Sequence, residues 1–211
     1  MMSPLGSTKT PVRSLQSSVR PHRHRGVFVN LVLFWVGLTF LSGCAVYNTT
    51  SDASTSDLML GGYDPVAYFD APAPMLGQAS LEFRHRYGTY RFASAANLAL
   101  FRADPDRYAP QYGGFCAKGV AYAIRAGGDP RVYEIHDNRL FIFAVPYARD
   151  YWRTDRRDFI ETADNYWARE LRDSPARWTN VKRWVVRVPH YKTYPEEFRD
   201  YEARTGKPAP R

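Results

Sequence analysis

The apolar run from Val27 to Leu41, interrupted only by Asn30, Gly37 and Thr39, divides this chain and limits what the rest of it can build. Ahead of the run, residues 1–26 carry Lys9, Arg13, Arg20, Arg23 and Arg25 and no acidic residue. A basic stretch followed by a short apolar one is the order of an export signal. The run of fifteen residues is shorter than the roughly 20 that a membrane-crossing helix needs. The expectation is export followed by cleavage, so that any folded core is assembled from residues beyond the run.

The run ends in Leu41-Ser42-Gly43-Cys44, which resembles the lipobox of bacterial lipoproteins. Small residues before the cut let the backbone lie extended in a peptidase groove, and the Cys44 thiol is the nucleophile that takes the lipid. The resemblance implies a chain that begins at Cys44 and is tethered through that lipid to a bacterial membrane. Its domain is then expected on the periplasmic side of the cell envelope. No adjacent Arg-Arg pair precedes the run, which argues against a strict twin-arginine signal. The expected parts are a lipoprotein signal peptide over 1–43, a flexible tether over 44–57, a globular domain over 58–172 and a C-terminal extension over 173–211.

Charge reads differently once the leader is set aside. The chain has 29 basic and 21 acidic residues, and removing the five basic residues of the leader leaves 24 against 21, a net of +3. No concentrated basic face remains, so a nucleic-acid partner is not expected. Arg153, Arg156, Arg157, Arg169 and Arg172 alternate with Asp150, Asp155, Asp158, Glu161 and Glu170, the pattern of a solvated, ion-paired helix face. There are only two cysteines. A lipid on Cys44 leaves Cys116 without an intrachain partner, and failed processing would permit a Cys44–Cys116 disulfide.

Patterning over 58–172 predicts an α+β fold: a small antiparallel sheet with one short and one long packing helix. Leu81, Phe83, His85 and Tyr87 alternate with Glu82, Arg84 and Arg86, the period of a half-buried strand. Gly88-Thr89 reads as a turn into Tyr90–Phe92. Ser94 is placed to cap a helix through Ala95, Leu98, Leu100 and Phe101, ending near Pro105. Val132–Ile135 and Leu140–Val145 flank Asp137-Asn138 as a second strand pair. Trp152, Phe159, Ile160, Ala163, Trp167 and Leu171 fit one long helix over 147–172. Gly61-Gly62 reads as a flexible joint, Trp178 to Val188 as a further strand, and the end from Gly206 as frayed. Asn48–Asp57 is polar and aperiodic, which is the basis for reading it as a tether.

Four motifs in order carry a family resemblance. They are Gly62-Tyr63-Asp64-Pro65-Val66-Ala67-Tyr68-Phe69, then Tyr90-Arg91-Phe92-Ala93-Ser94-Ala95-Ala96-Asn97, then Phe101-Arg102-Ala103-Asp104-Pro105, then Pro110-Gln111-Tyr112-Gly113-Gly114-Phe115-Cys116-Ala117. Over roughly residues 60–170 the chain resembles the exported YHS-domain proteins. The wider group includes small metal-associated domains with thiols after Asp-Pro-Val, after the Phe before Ser, and three residues beyond that Ser. Those positions here are Ala67, Ala93 and Asn97, so an inherited thiolate site is excluded. In the exported branch the position of Cys116 is a Cys or a selenocysteine, which implies a redox or metal role there.

The candidate site residues are therefore Cys116, with Asp64, His85 and His136 as further donors, and a transition-metal ion is the cofactor class implied. Gly113 and Gly114 could aim amide groups at the Cys116 sulfur and make it more acidic, whereas a lone Cys is more often a small buried hydrophobe. Asp64 before Pro65 is equally a turn former, His85 shares a face with core residues, and Asp137 beside His136 looks like hairpin chemistry. Tyr63, Tyr68, Tyr90 and Tyr112 fit a pocket or a core. Three functions follow. One is an envelope lipoprotein binding a metal ion or small ligand at Cys116, with no catalytic residue assigned. The second is a thiol redox protein using Cys116, and the third is an interaction lipoprotein that presents Trp178–Tyr194 to an envelope partner. The domain itself is expected to be monomeric.

Overall fold

Short β-forming segments on either side of the Gly61-Gly62 motif set the architecture. The computed structural model describes residues 48–86, 88–173, 185 and 192–209, and they form an α+β fold. Strands β1 (Thr49–Thr50), β2 (Leu58–Met59), β3 (Gln78–His85) and β4 (Gly88–Phe92) lie in the order β1-β2-β4-β3. The pairs are antiparallel except β2 with β4, which run parallel and meet at Leu58 and Thr89. Strands β5 (Asp129–His136) and β6 (Arg139–Phe143) make a separate antiparallel ribbon. The single antiparallel sheet expected from the patterning is thus two sheets, one of them mixed, because the segment before the first hairpin enters alongside β4.

Glycine positions account for two further differences. Gly88 is inside β4, opposite His85, and the turn instead uses Arg86 at φ 54°. A Cβ on Gly88 would lie 2.3 Å from Met59 Cγ, so glycine is required there by close packing. Gly62, at φ 86°, closes a tight 3₁₀ turn over Leu60–Gly62, and its carbonyl accepts from Gly77 N at 2.8 Å. That segment is a fixed corner rather than a flexible joint. The second hairpin follows expectation: Asp137 and Asn138 both have positive φ, 48° and 57°, as a two-residue turn matching strand twist requires.

Helix α1 (Ala67–Asp70) is a single turn, and α2 (Ala95–Ala103) starts at Ser94, whose hydroxyl accepts from Asn97 N at 3.1 Å. Asp104 caps the short α3 (Pro105–Tyr108) in the same way, and α4 (Ala117–Ala121) follows the Gly-Gly turn. The long helix expected over 147–172 is divided into α5 (Pro146–Trp152), a 3₁₀ turn at Arg153–Asp155, α6 (Arg156–Tyr166) and a π turn at Trp167–Leu171. The break is at Asp155, which leaves helical geometry (φ −156°, ψ 67°) so that its carboxylate can accept from Asp158 N.

The polar stretch expected to be a tether is bound to the domain over its described part. Thr49 and Thr50 pair with Met59 and Leu58, and the Asn48 amide donates to the Gly114 and Gly128 carbonyls at 3.1 and 3.0 Å. Asp52 accepts from Ser54 N and pairs with Arg91. Backbone pairing and ion pairs hold this segment without apolar burial, the route its composition does not advertise. At the other end, α7 (Tyr194–Thr205) begins with a Thr193–Glu196 capping box and ends at Gly206, φ 65°. Ala209 N donates to Glu202 at 3.0 Å and Ala209 packs on the core, so 206–209 are fastened rather than frayed. The strand expected at Trp178–Val188 lies outside the described residues apart from the exposed Val185. No helix among the described residues is long and apolar enough to cross a membrane.

Three clusters form the core. Met59, Val66, Tyr90, Phe92, Phe101 and Tyr108 fill the space between the first sheet and α2. Leu60, Tyr68, Leu140 and Ile142 bridge to the β5–β6 ribbon. On its far side Phe141, Phe143, Tyr151, Trp152, Phe159 and Leu171 gather, joined by Tyr201 of α7. Trp152 and Phe101 are fully buried; truncating either would cost about 3–5 kcal/mol.

Candidate functional site

Cys116 is positioned by the turn before it. Tyr112 and Gly113 take left-handed conformations (φ 55° and 62°), so the chain reverses and Cys116 N donates to Ala126 O at 2.9 Å beside Ile142 of β6. The residue is 2% exposed. Burial pushes its thiol pKa up, and the opposing pull of nearby backbone groups at Gly119 and Ala144 and of the Lys118 charge is smaller. The groups that act on the sulfur are therefore not Gly113 and Gly114, as the sequence suggests, and the sulfur is not made acidic.

The thiol nonetheless borders a space. A cavity of about 300 Å³ is lined by Cys116, Lys118, Gly119, Tyr122 and Ile124, by Ala126, Ala144, Val145, Tyr147 and Ala148, and by Lys192 and Glu197 from the C-terminal segment. Lys118 and Glu197 form an ion pair across 79 positions of sequence, with side chains 9% and 8% exposed. The Lys118 ammonium also lies 5.2, 5.3 and 5.2 Å from the ring centroids of Tyr122, Tyr147 and Tyr151, a cage of π faces around one cation. Burial pushes the Tyr122 hydroxyl up to about 12, so these phenols stay protonated. The Tyr147 hydroxyl oxygen is buried and has no hydrogen-bond partner among the described residues. The same burial-driven upward shift holds for Tyr147 and Tyr151.

The other sequence-predicted donors are held elsewhere. Asp64 is fully buried, and its carboxylate accepts from Val66 N and Ala93 N, both at 2.8 Å, from Asn97 Nδ2 at 2.7 Å, and from Ala67 N at 3.4 Å. It ties β4 and α2 to the turn before α1, and its four acceptor positions are used within the fold. Ala67, Ala93 and Asn97, the positions where the resemblance would place thiols, all donate to this one carboxylate. His85 lies 3.2 Å from Asp106, which Arg86 also bridges, and packs edge-on against Phe101. His136 lies 3.5 Å from Asp137 and edge-on to Trp152. Each of the four candidates thus has a different set of neighbours, and no group of three His, Cys, Asp or Glu among the described residues is placed to hold a metal ion.

Two polar clusters complete the picture. Arg139 pairs with Asp164 through both terminal nitrogens and reaches Gln111, while Tyr112 donates to Asp164 at 2.8 Å, next to a second cavity of about 270 Å³ that Tyr90 and Trp167 also line. Arg153 and Arg156 converge on Glu134. Tyr68 donates to Pro130 O at 2.8 Å, and Tyr90 is core.

No family model, no curated protein and no solved structure matches the chain. Its chemistry has to be read from its own geometry. Sequence reasoning missed Lys118, Tyr147 and Glu197. One local signal was available for the first: Lys118 stands in Phe115-Cys116-Ala117-Lys118-Gly119-Val120-Ala121, a lone charge in a run that a helix of this length must bury.

Proposed function

We propose that the protein is a cell-envelope lipoprotein, anchored to the membrane through lipid on Cys44, whose YHS-like domain binds a small ligand in the cavity beside Cys116. The lipobox-like sequence supports the anchor. The single observation that carries the binding reading is the cavity itself. A mostly apolar wall meets a buried ammonium, a thiol and a phenol unpartnered among the described residues, the mixture typical of small-molecule pockets, and its volume is at the lower end of their range. The dispersed positions of Asp64, His85 and His136 favour a small molecule over a metal ion. A redox role for Cys116 is less favoured, since burial depletes the thiolate that such chemistry requires.

Native mass spectrometry of the full-length protein, isolated from envelope fractions in mild detergent, tests both parts. The expected mass corresponds to a chain starting at lipidated Cys44 with a small molecule bound, and the bound mass is lost when Ala144→Phe fills the cavity. A chain retaining Met1 and lacking lipid removes the anchor. The same ligand-free mass in both proteins, after incubation with envelope extract, removes the binding site.

A further inference from the structure

Helix α7 brings one acidic side chain into the cavity, and the chemistry around it differs from that of a purely structural ion pair. Lys118 is the one hydrogen-bond donor to the Glu197 carboxylate among the described residues. The cation is fixed independently of Glu197, by the three tyrosine rings around it. Beyond the pair the wall is largely apolar, with Ile124, Ala126, Ala144, Val145 and Ala148, and its other cation, Lys192, is paired with Asp200. Tyr147 also lines this space, and its hydroxyl oxygen is buried without a hydrogen-bond partner among the described residues.

From this we infer that Glu197 stands in for the carboxylate of the ligand. In this reading the Glu197 side chain is a plug. The natural occupant is a small monocarboxylate with a short apolar body, which displaces Glu197 from Lys118 and lays its chain along the alanine and valine wall. One oxygen accepts from Lys118 and the other from Tyr147. The inference rests on the proposal that this cavity is the ligand site, and it adds the ligand class and the means of closure. Helix α7 itself stays fastened: Tyr201 is buried in the core against Tyr147 and Tyr151, and Tyr151 donates to Asp200, which also pairs with Lys192 and Arg204 of the same C-terminal segment.

Chemical rescue of full-length Glu197→Ala in detergent tests the idea with defined probes: acetate, butyrate and hexanoate, with hexanamide as the neutral control. The expected result is a thermal midpoint that recovers with carboxylates, most with hexanoate, and not with hexanamide. In Lys118→Met/Glu197→Ala the recovery disappears. Equal effects of hexanoate and hexanamide, or rescue surviving loss of Lys118, would overturn the inference. Should Glu197→Ala not fold, Glu197→Gln keeps the side-chain volume, and Cys116 reports on the cavity through alkylation by anionic iodoacetate against neutral iodoacetamide. The iodoacetate-to-iodoacetamide rate ratio is expected to rise about tenfold over wild type, a usual size for coupling between groups. An unchanged ratio overturns the plug. Ala144→Phe is expected to slow both reagents; if it leaves both rates unchanged the cavity reading itself falls, and if Cys116 reacts equally with both reagents in every variant only the plug does.

Discussion

Asp64 and Glu197 are both buried acids, and they are buried in opposite ways. Asp64 is enclosed by neutral donors from its own neighbourhood: two backbone amides from the turn it begins, one from the end of β4 and one side-chain amide from α2. Its lone pairs are fully used, so the charge is delocalised over a local scaffold and nothing else can approach. Glu197 meets a single cation at the wall of a cavity, brought there by a helix that follows Lys118 by 79 positions. A saturated acid holds a fold together, whereas an acid with one exchangeable partner next to open space can be replaced. That difference, rather than burial, separates a structural carboxylate from one near a binding site.

The contrast can be broken by mutation. Asp64→Ala leaves four backbone or amide donors without an acceptor, and is expected to destabilise the domain by about 5 kcal/mol in urea unfolding, given about 1.5–3 kcal/mol per hydrogen bond to a charged group and incomplete additivity. A loss below about 2 kcal/mol would mean that Asp64 is not the keystone its four contacts suggest.

Lys118→Met is expected to cost about 3–4 kcal/mol, because it leaves Glu197 buried and unpaired, while Lys118→Met/Glu197→Leu returns to within about 1 kcal/mol of wild type. Were the double variant as unstable as the single, the pair would be part of the scaffold in the manner of Asp64.

The smallest effect concerns the rim of α7. Burial raises the Asp200 carboxyl, but hydrogen bonds from Lys192, Tyr151 and Arg204 outweigh it and bring the group from 3.8 down to about 2. A carboxyl lowered in the folded state contributes stability that is fully present above its unfolded value and is lost as pH falls through the folded one. The wild-type thermal midpoint should therefore drop more steeply than that of Asp200→Asn between about pH 4 and pH 2, with the variant about 1 kcal/mol less stable at neutral pH. Parallel curves would show that Asp200 does not hold the helix.

These effects also mark what could be read in advance. Strands β3 to β6, the Asp137-Asn138 hairpin and the Ser94 cap were legible, since each is written in alternation or in a residue that serves a backbone group three positions away. Cys116 was legible as a candidate, with burial as the commoner fate of a lone Cys, but the company it keeps was not. The pairing of Thr49–Thr50 within the stretch expected to be a tether was not legible, because polarity reports on apolar burial and not on backbone pairing. The turn-forming role of Asp64 was legible from Pro65, but its partners Ala93 N and Asn97 Nδ2 were not, since they come from a distant part of the chain.

What the sequence by itself determined is local: the period of the strands, the hairpin turn, the helix caps, and the count of cysteines. Each of these depends on interactions within a few residues, where chain geometry leaves little choice. Only the tertiary structure decided that Lys118 meets Glu197, that three tyrosines from two separate segments cage the ammonium, and that Cys116 lies at the wall of that space. Those contacts close long loops and are selected by how the apolar faces pack against one another, so no neighbouring residue carries their signature.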